Sequence, residues 1–113
     1  MTNILITGIT GFVGSHLCDY ILNNHKNVKI FGTKRYHLSR LEHVKHIYSR
    51  INWVDCDITD SRATLELIEE TNPDIIFHCA AESFVSPSWR HPRRYMDVNY
   101  LGTVNLLDAL QKL

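Results

Sequence analysis

The chain has 113 residues, of which 44% are hydrophobic and 21% charged, and its formal net charge is zero. This profile fits one soluble globular domain, and a neutral chain has no overall field that would attract nucleic acid or a membrane surface. The longest apolar runs are too short to span a bilayer and the N-terminus has no signal-peptide pattern, so we expect a cytoplasmic protein.

The first 22 residues predict a strand, a glycine turn and a helix. Residues 1–6 are a short β-rich run, and residues 12–22 place apolar side chains at helical spacing. Between them, Gly8, Gly11 and Gly14 follow the spacing G-x-x-G-x-x-G. One glycine would let the chain turn off the strand, another would leave room for a pyrophosphate, and the third would allow close packing. The motif predicts a dinucleotide phosphate site at the helix N-terminus; alternatively, the glycines serve only a tight turn.

The middle of the chain continues the alternation of strands and helices. A second strand is predicted over residues 28–32, then a polar connection over residues 33–49 whose middle can form a short helix, then a third strand over residues 51–56. Asp60 or Ser61 can cap a helix that runs to about Glu70, and the sequence Thr-Asn-Pro at residues 71–73 ends it.

The last part of the chain predicts a buried strand and a long helix. Residues 74–78 contain Ile75-Ile76-Phe77, an apolar run without alternation, which is typical of a parallel strand covered on both faces. A loop over residues 80–88 leads to a helix over residues 92–113. The apolar residues of this helix are Val98, Leu101, Val104, Leu106, Leu107 and Leu110.

This order of elements predicts an α/β fold of the Rossmann type. Right-handed crossovers would place the strands in the order 3-2-1-4 with helices on both faces of a parallel sheet. Ligands of such sheets bind beyond the carboxyl ends of the strands, where the order reverses. We therefore expect the site beside the first and fourth strands.

The end of the second strand bears on the choice of dinucleotide. NAD sites commonly carry an acidic residue roughly 20 positions after the glycines, and this chain has none there. It has Lys34 and Arg35 instead, and a guanidinium can bind a 2′-phosphate through two hydrogen bonds. The sequence thus favours NADP over NAD, unless Lys34, Arg35 and Arg40 form only a solvated loop.

Three further positions have both a ligand-binding and a structural interpretation. Asp57-Ile58 follows the third strand, where it can contact an adenine, although Asp57 is also a common turn or capping residue. His78 can be a catalytic base, but no partner is evident beside it, so we favour a buried, hydrogen-bonded strand residue. Trp89 ends a serine-containing loop at the rim of the predicted site and is either a loop residue or a core aromatic.

The cysteines and histidines do not form a recognisable metal site. The three cysteines contain no C-x-x-C pair, and they are expected to be reduced thiols. His43 and His46 lie three residues apart, but no cysteine or carboxylate cluster completes a zinc ligand set. We expect no metal.

Four segments together resemble the extended short-chain dehydrogenase/reductase superfamily that modifies nucleotide sugars. They are TGITGFVG at residues 7–14, DITD at 57–60, HCAAESFV at 78–85 and NYLGTVNLLDAL at 99–110. The segment at residues 32–47 and the later SFVSPSW look most like the GDP-mannose 4,6-dehydratase branch.

The resemblance implies a set of cofactor contacts. The pyrophosphate would be held by residues 8–14, the 2′-phosphate by Arg35 and the adenine by Asp57-Ile58, while residues 79–83 would line the nicotinamide side. The implied cofactor-binding residues are Gly8, Ile9, Thr10, Gly11, Phe12, Val13, Gly14, Arg35, Asp57, Ile58, Cys79, Ala80, Ala81, Glu82 and Ser83.

The resemblance also implies what this chain lacks. The family uses a Tyr-x-x-x-Lys pair, and none of the five tyrosines here is followed by lysine at that spacing. We interpret residues 1–113 as the N-terminal NADP-binding domain of a longer enzyme, cut before its catalytic residues and its substrate domain.

For the intact protein the resemblance implies a homo-oligomer that acts on a nucleotide sugar, with GDP-mannose favoured. The implied reaction is oxidation at C4, elimination of water across C5 and C6, and return of a hydride to C6. A 4-epimerase, a 4-keto reductase or a non-catalytic NADP-binding regulator remains an alternative.

Overall fold

The described part of the chain forms a parallel sheet of four strands. The computed structural model describes residues 1–35, 39–80 and 89–112. The strands are β1 (Thr2–Thr7), β2 (Val28–Lys34), β3 (Asn52–Asp55) and β4 (Ile75–His78), and their order is β3-β2-β1-β4. Ile4 of β1 pairs with Ile30 of β2 on one side and with Ile75 of β4 on the other. The predicted order 3-2-1-4 is confirmed, and the carboxyl ends of all four strands lie at one edge.

Helices cover both faces of the sheet, as predicted. Helix α1 (Phe12–Asn24) and a 3-10 helix (Glu42–Arg50) lie on one face, and α2 (Ser61–Thr71) and the C-terminal helix lie on the other. β1 supplies both cores because successive side chains of a strand point to opposite faces: Ile4 and Ile6 belong to one cluster, and Leu5 belongs to the other.

Helix α2 begins and ends at its sequence signals. The carboxylate of Asp60 accepts hydrogen bonds from the backbone N–H groups of Arg62 and Ala63, at 3.0 and 3.1 Å. Asn72 adopts a left-handed conformation with φ 41° and terminates the helix before Pro73. Of the two predicted capping residues, Asp60 is therefore the one that caps.

The C-terminal helix differs from the regular helix that the sequence predicts. It consists of α3 (Pro92–Met96), a π-helical segment (Asp97–Leu101) and α4 (Gly102–Gln111). Val98 and Leu106 are buried, whereas the other four apolar residues of the predicted helix are 36–56% exposed: Leu101, Val104, Leu107 and Leu110. The apolar arc of this helix is wider than the surface that α2 and the sheet can cover, so only one side of the arc is buried. No helix in the described ranges is both long enough and apolar enough to cross a membrane.

Strand β4 is not covered on both faces, which corrects a second prediction. Ile75 is 44% exposed and Phe77 is 37% exposed, while Ile76 packs into the core on the opposite face. The core under α1 and the 3-10 helix includes residues of β1 and β2 but, among the described residues, none of β4. The exposed side chains of β4 instead border an open groove beside Leu17 and Ile21 of α1.

Candidate dinucleotide-binding site

A cleft lies at the carboxyl edge of the sheet, where the turns after all four strands meet. Its walls come from the glycine turn after β1, the ends of β2, β3 and β4, and the C-terminal helix. The lining residues are Gly8, Thr10, Gly11, Thr33, Lys34, Arg35, Ser39, Cys56, Asp57, Ile58, Cys79, Ala80, Arg94 and Val98.

The structure brings eight of the predicted site residues to this cleft: Gly8, Thr10, Gly11, Arg35, Asp57, Ile58, Cys79 and Ala80. Four other predicted residues that the structure describes are not among the lining residues. Ile9 is fully buried in the core, Phe12 and Val13 are each 66% exposed at the start of α1, and Gly14 packs beneath the turn. Ala81, Glu82 and Ser83 fall outside the described residues.

The three glycines of the turn have different neighbours. Gly8 has φ +68°, and a Cβ there would lie 2.6 Å from the backbone nitrogen of Ala80. A Cβ on Gly14 would lie 2.8 Å from the Cα of Ile9 and also overlap the carbonyl oxygen of Gly8. At Gly11 the nearest atom to such a Cβ is the Gly8 oxygen, at 3.4 Å. Gly8 and Gly14 are thus required by the protein's own packing, whereas Gly11 faces open space in the cleft.

The start of α1 is suited to an anion. Gly11 is its N-cap and has no side chain to satisfy the first N–H groups, and the first turn contains no acidic residue. Unpaired N–H groups and the positive end of the helix dipole attract phosphate. A cradle at Gly11 that a Cβ would fill, next to these N–H groups, fits the pyrophosphate of a dinucleotide.

Basic residues lie on the β2 side of the cleft. The backbone N–H of Arg35 donates to the hydroxyl of Ser39 at 2.9 Å, which ties the residue after β2 to the wall of the cleft. The ammonium of Lys34 lies 3.3 Å from the hydroxyl of Tyr48. It also lies 5.8 and 6.0 Å from the ring centroids of Tyr48 and Trp53, which is within the range of a cation–π contact. Lys34 and Arg35 line the cleft, whereas Arg40 is exposed and not part of the lining.

Asp57 is a turn residue, one of its two predicted interpretations, and it also lies at the cleft. Its Oδ1 accepts hydrogen bonds from the backbone N–H and the hydroxyl of Thr59, at 3.0 and 2.8 Å, which makes it a turn residue. Its side chain also lines the cleft. Burial acts to raise the pKa of this carboxyl, but the hydrogen bonds from Thr59 and the charges of Arg94 and Arg35 outweigh burial and lower the pKa. Asp57 is therefore ionised at neutral pH.

His78 is a hydrogen-bonded strand residue, as favoured by the sequence. Its Nδ1 lies 2.6 Å from the hydroxyl of Thr7, and its Nε2 lies 3.1 Å from the hydroxyl of Thr103. The Thr103 hydroxyl donates to the carbonyl of Asn99, so it accepts from Nε2–H, and Nδ1 in turn accepts from Thr7. Burial lowers the pKa of His78, in keeping with this neutral tautomer.

The cysteines near the cleft are protonated thiols. Burial raises the pKa of Cys56 to about 11 and also raises the pKa of Cys79. All three cysteines are free, as predicted. Within the described ranges, no group of three His, Cys, Asp or Glu side chains could hold a metal ion.

Comparison with known proteins places the chain in a family. The family model described as GDP-mannose 4,6 dehydratase matches residues 5–113. The chain belongs to this family.

Relatives from several branches are similar to this GDP-mannose 4,6-dehydratase family member. The GDP-mannose 4,6-dehydratase of Yersinia enterocolitica is 34% identical over 98% of this chain and 32% of its own length. The dTDP-glucose 4,6-dehydratase of Salmonella typhimurium is also 34% identical, over 96% of this chain and 31% of its own length. The chain therefore spans about a third of the length of the curated relatives it matches.

A solved structure from a third branch shares the fold. The UDP-glucose 4-epimerase of Stenotrophomonas maltophila, solved with bound NAD, has a TM-score of 0.83 and 29% identity. The match covers 98% of this chain and 34% of that one. The likeness to dehydratases and an epimerase alike shows the superfamily but does not distinguish among its sugar substrates.

Sequence reasoning missed several lining residues, of which Arg94 and Ser39 are the most polar. Ser39 lies in a connection with no regular pattern, so nothing in the sequence marks it. Arg94 precedes the buried Val98 by four residues, a spacing that puts two side chains on one face of a helix. That periodicity was the available signal for Arg94.

Proposed function

We propose that this chain binds the NADP of a nucleotide-sugar 4,6-dehydratase. The observation that carries the proposal is the cleft at the carboxyl edge of the sheet, because it joins the open space at Gly11 to the cationic Arg35. NADP needs both features, since its pyrophosphate requires close approach of the backbone and its 2′-phosphate requires a cation.

Each part of the cofactor has a proposed location. The glycine turn, residues 8–14, holds the pyrophosphate; Arg35 binds the 2′-phosphate; Asp57 and Ile58 contact the adenine. Cys79 and Ala80, which line the cleft, face the nicotinamide side. When bound, the nicotinamide accepts and returns a hydride, and the residues of this chain orient it.

NADP is proposed over NAD because of the charge at the end of β2. An acidic residue that would favour the ribose of NAD is missing there from the sequence, and Arg35 lines the cleft in its place. The NAD in the Stenotrophomonas epimerase shows that the shared fold also takes the cofactor without a 2′-phosphate. Arg35 is the residue on which the distinction depends.

The first prediction tests this distinction by titrating NADP and NAD against the chain and its Arg35→Ala variant. We expect the unmutated chain to prefer NADP and the variant to lose about tenfold or more of its NADP affinity, because a charge-assisted hydrogen bond is lost. NAD affinity should change little. Isothermal titration calorimetry measures both constants.

Arg40→Ala is the matched control, since it removes the same charge from an exposed residue outside the cleft. Its NADP affinity should equal that of the unmutated chain. Equal affinities of the unmutated chain for NADP and NAD would reject the 2′-phosphate proposal.

We also propose that the chain is the cofactor-binding part of a longer, cytoplasmic, homo-oligomeric enzyme that acts on GDP-mannose. The family match and the Yersinia relative support the GDP-mannose dehydratase assignment. The fold similarity to the Stenotrophomonas epimerase supports a 4-epimerase as the second candidate. The two reactions differ in mass balance, because a dehydratase removes water from the sugar and an epimerase does not.

A further inference from the structure

Besides Lys34, three charged residues from different parts of the chain line the cleft. Arg35 follows β2, Asp57 follows β3, and Arg94 lies in α3. The Nη1 of Arg94 is 3.9 Å from the Oδ2 of Asp57, and their side chains are 35% and 39% exposed. Arg94 thus lies beside a residue proposed to contact the adenosine part of the cofactor.

An ionised Asp57 is unfavourable for a phosphate in the same cleft. The hydrogen bonds from Thr59 fix the carboxylate in place, so it cannot swing away from an approaching anion. The Asp57 carboxylate and a phosphate bound in the same cleft are both negative and repel each other, and a low local dielectric constant strengthens the repulsion. A cleft that binds a 2′-phosphate therefore needs a cation that offsets Asp57 in addition to one that binds the phosphate.

Lys34 is not placed to supply that cation. Its ammonium lies 3.3 Å from the hydroxyl of Tyr48, and it lies 5.8 and 6.0 Å from the ring centroids of Tyr48 and Trp53. Arg94, in contrast, is an ion-pair partner of Asp57. The position of Arg94 on α3 brings its charge to the cleft beside Asp57.

We propose that Arg94 is a specificity-determining residue, which offsets the negative charge of Asp57 so that the cleft accepts a 2′-phosphate at Arg35. This inference rests on the proposed binding of NADP. The separation of 3.9 Å is longer than the roughly 2.7–2.9 Å of a charge-assisted hydrogen bond, so Arg94 acts on Asp57 by Coulombic attraction. Because both side chains are more than a third exposed, solvent limits the size of the effect.

The second prediction uses two small probes of the adenosine part, adenosine 2′,5′-bisphosphate and 5′-AMP, which differ only in the 2′-phosphate. Their affinities for the whole 113-residue chain are measured by calorimetry. The ratio of the affinity for adenosine 2′,5′-bisphosphate to the affinity for 5′-AMP isolates the effect of that phosphate. We expect Arg94→Gln to lower the ratio about three- to tenfold, because Asp57 then repels the phosphate without compensation. Arg94→Lys keeps the charge and should retain most of the ratio.

Arg93→Gln is the matched control. It removes an equal charge from the neighbouring residue, which is exposed and is not among the lining residues. Circular dichroism and thermal melting establish that each variant is folded. A ratio for Arg94→Gln equal to that for Arg93→Gln would overturn the inference.

A double variant tests whether Arg94 acts through Asp57. In the Asp57→Asn background the repulsive charge is gone, so adding Arg94→Gln should change the ratio much less than it does in the unmutated chain. An undiminished effect would overturn the proposed role.

Failure of this inference is distinct from failure of the proposed function: if Arg35→Ala lowers the ratio and Arg94→Gln does not, NADP binding stands. If the unmutated chain binds both probes equally, both proposals fail.

Discussion

At the scale of single residues, the glycine turn shows how one residue type serves different needs. Gly8 is required by a positive φ and by the backbone of Ala80, and Gly14 is required by the backbone of Ile9. Gly11 has an ordinary φ of −83° and no backbone atom closer than 3.4 Å to an added Cβ. Only Gly11 can therefore be changed without distorting the protein, which makes it the residue that reports on a ligand.

The third prediction compares Gly11→Ala with Gly14→Ala. Gly14→Ala should lower the free energy of unfolding by about 2 kcal/mol or more, because the added methyl group meets backbone atoms that cannot move aside. Gly11→Ala should cost less than about 1 kcal/mol, as expected for a small change at an N-cap. Urea denaturation followed by circular dichroism measures both values.

The same two variants separate stability from binding. Gly11→Ala should weaken NADP binding about tenfold or more, since its methyl group occupies the space proposed for the pyrophosphate. NADP titration of the folded Gly11→Ala variant gives the answer. Unchanged affinity in this variant would place the pyrophosphate elsewhere.

At the scale of elements, hydrogen bonds through His78 join two strands to the C-terminal helix. Thr7 of β1 donates to His78 of β4, and His78 donates to Thr103 of α4. The Thr7 hydroxyl also accepts from the backbone N–H of Ala80, so every member has a partner. Protonation of His78 would turn Nδ1 into a donor and remove the acceptor to which Thr7 donates, so the neutral form suits this set of hydrogen bonds.

The fourth prediction follows from the lowered pKa of His78. Because the folded-state pKa lies below the ordinary 6.5, the unfolded chain takes up this proton first as the pH falls. The stabilisation by neutral His78 is therefore complete above pH 6.5 and is lost as the pH falls through the folded-state pKa. The free energy of unfolding, measured by urea denaturation from about pH 8 to about pH 5, should decrease towards acid.

His78→Asn provides the control, because it removes this titrating group and leaves the other histidines unchanged. The difference in free energy of unfolding between the unmutated chain and the variant should shrink as the pH falls. A difference that is constant across the range would show that His78 does not titrate differently in the folded and unfolded states.

At the scale of the whole molecule, the chain contains the cleft at the carboxyl edge of the sheet and spans about a third of the length of its curated relatives. The sequence contains no Tyr-x-x-x-Lys pair. Among the described residues, His78 is the one that the sequence analysis considered as a catalytic base. Its ring is hydrogen-bonded to the hydroxyls of Thr7 and Thr103. The role proposed for these 113 residues is therefore to bind the cofactor.

The fifth prediction concerns turnover. With GDP-mannose and NADP, the 113-residue chain should give no product, because it lacks the proton-transferring residues expected of the family. A protein of the length of the relatives should yield a sugar that has lost the mass of one water, detected by mass spectrometry. A product of unchanged mass would favour the epimerase, and any dehydration by the 113-residue chain would contradict the division of roles.

The sequence by itself determined the order of the strands and the glycine turn, and it limited the cap of α2 to Asp60 or Ser61. These features depend on residue spacing, which is local, and on the handedness of crossovers, which is a general rule for parallel sheets. The sequence also determined that Arg35 and Asp57 lie at the same edge of the sheet, since both residues follow parallel strands.

Only the tertiary structure decided which apolar faces are covered and which distant side chains meet. Ile75 and Phe77 read as core residues in the sequence, yet they are exposed because no described element packs over them. Arg94 reaches Asp57 because the path of the C-terminal helix carries α3 past the end of β3. Contacts between residues far apart in sequence depend on the packing of whole elements, and the spacing of residues within one element does not specify that packing.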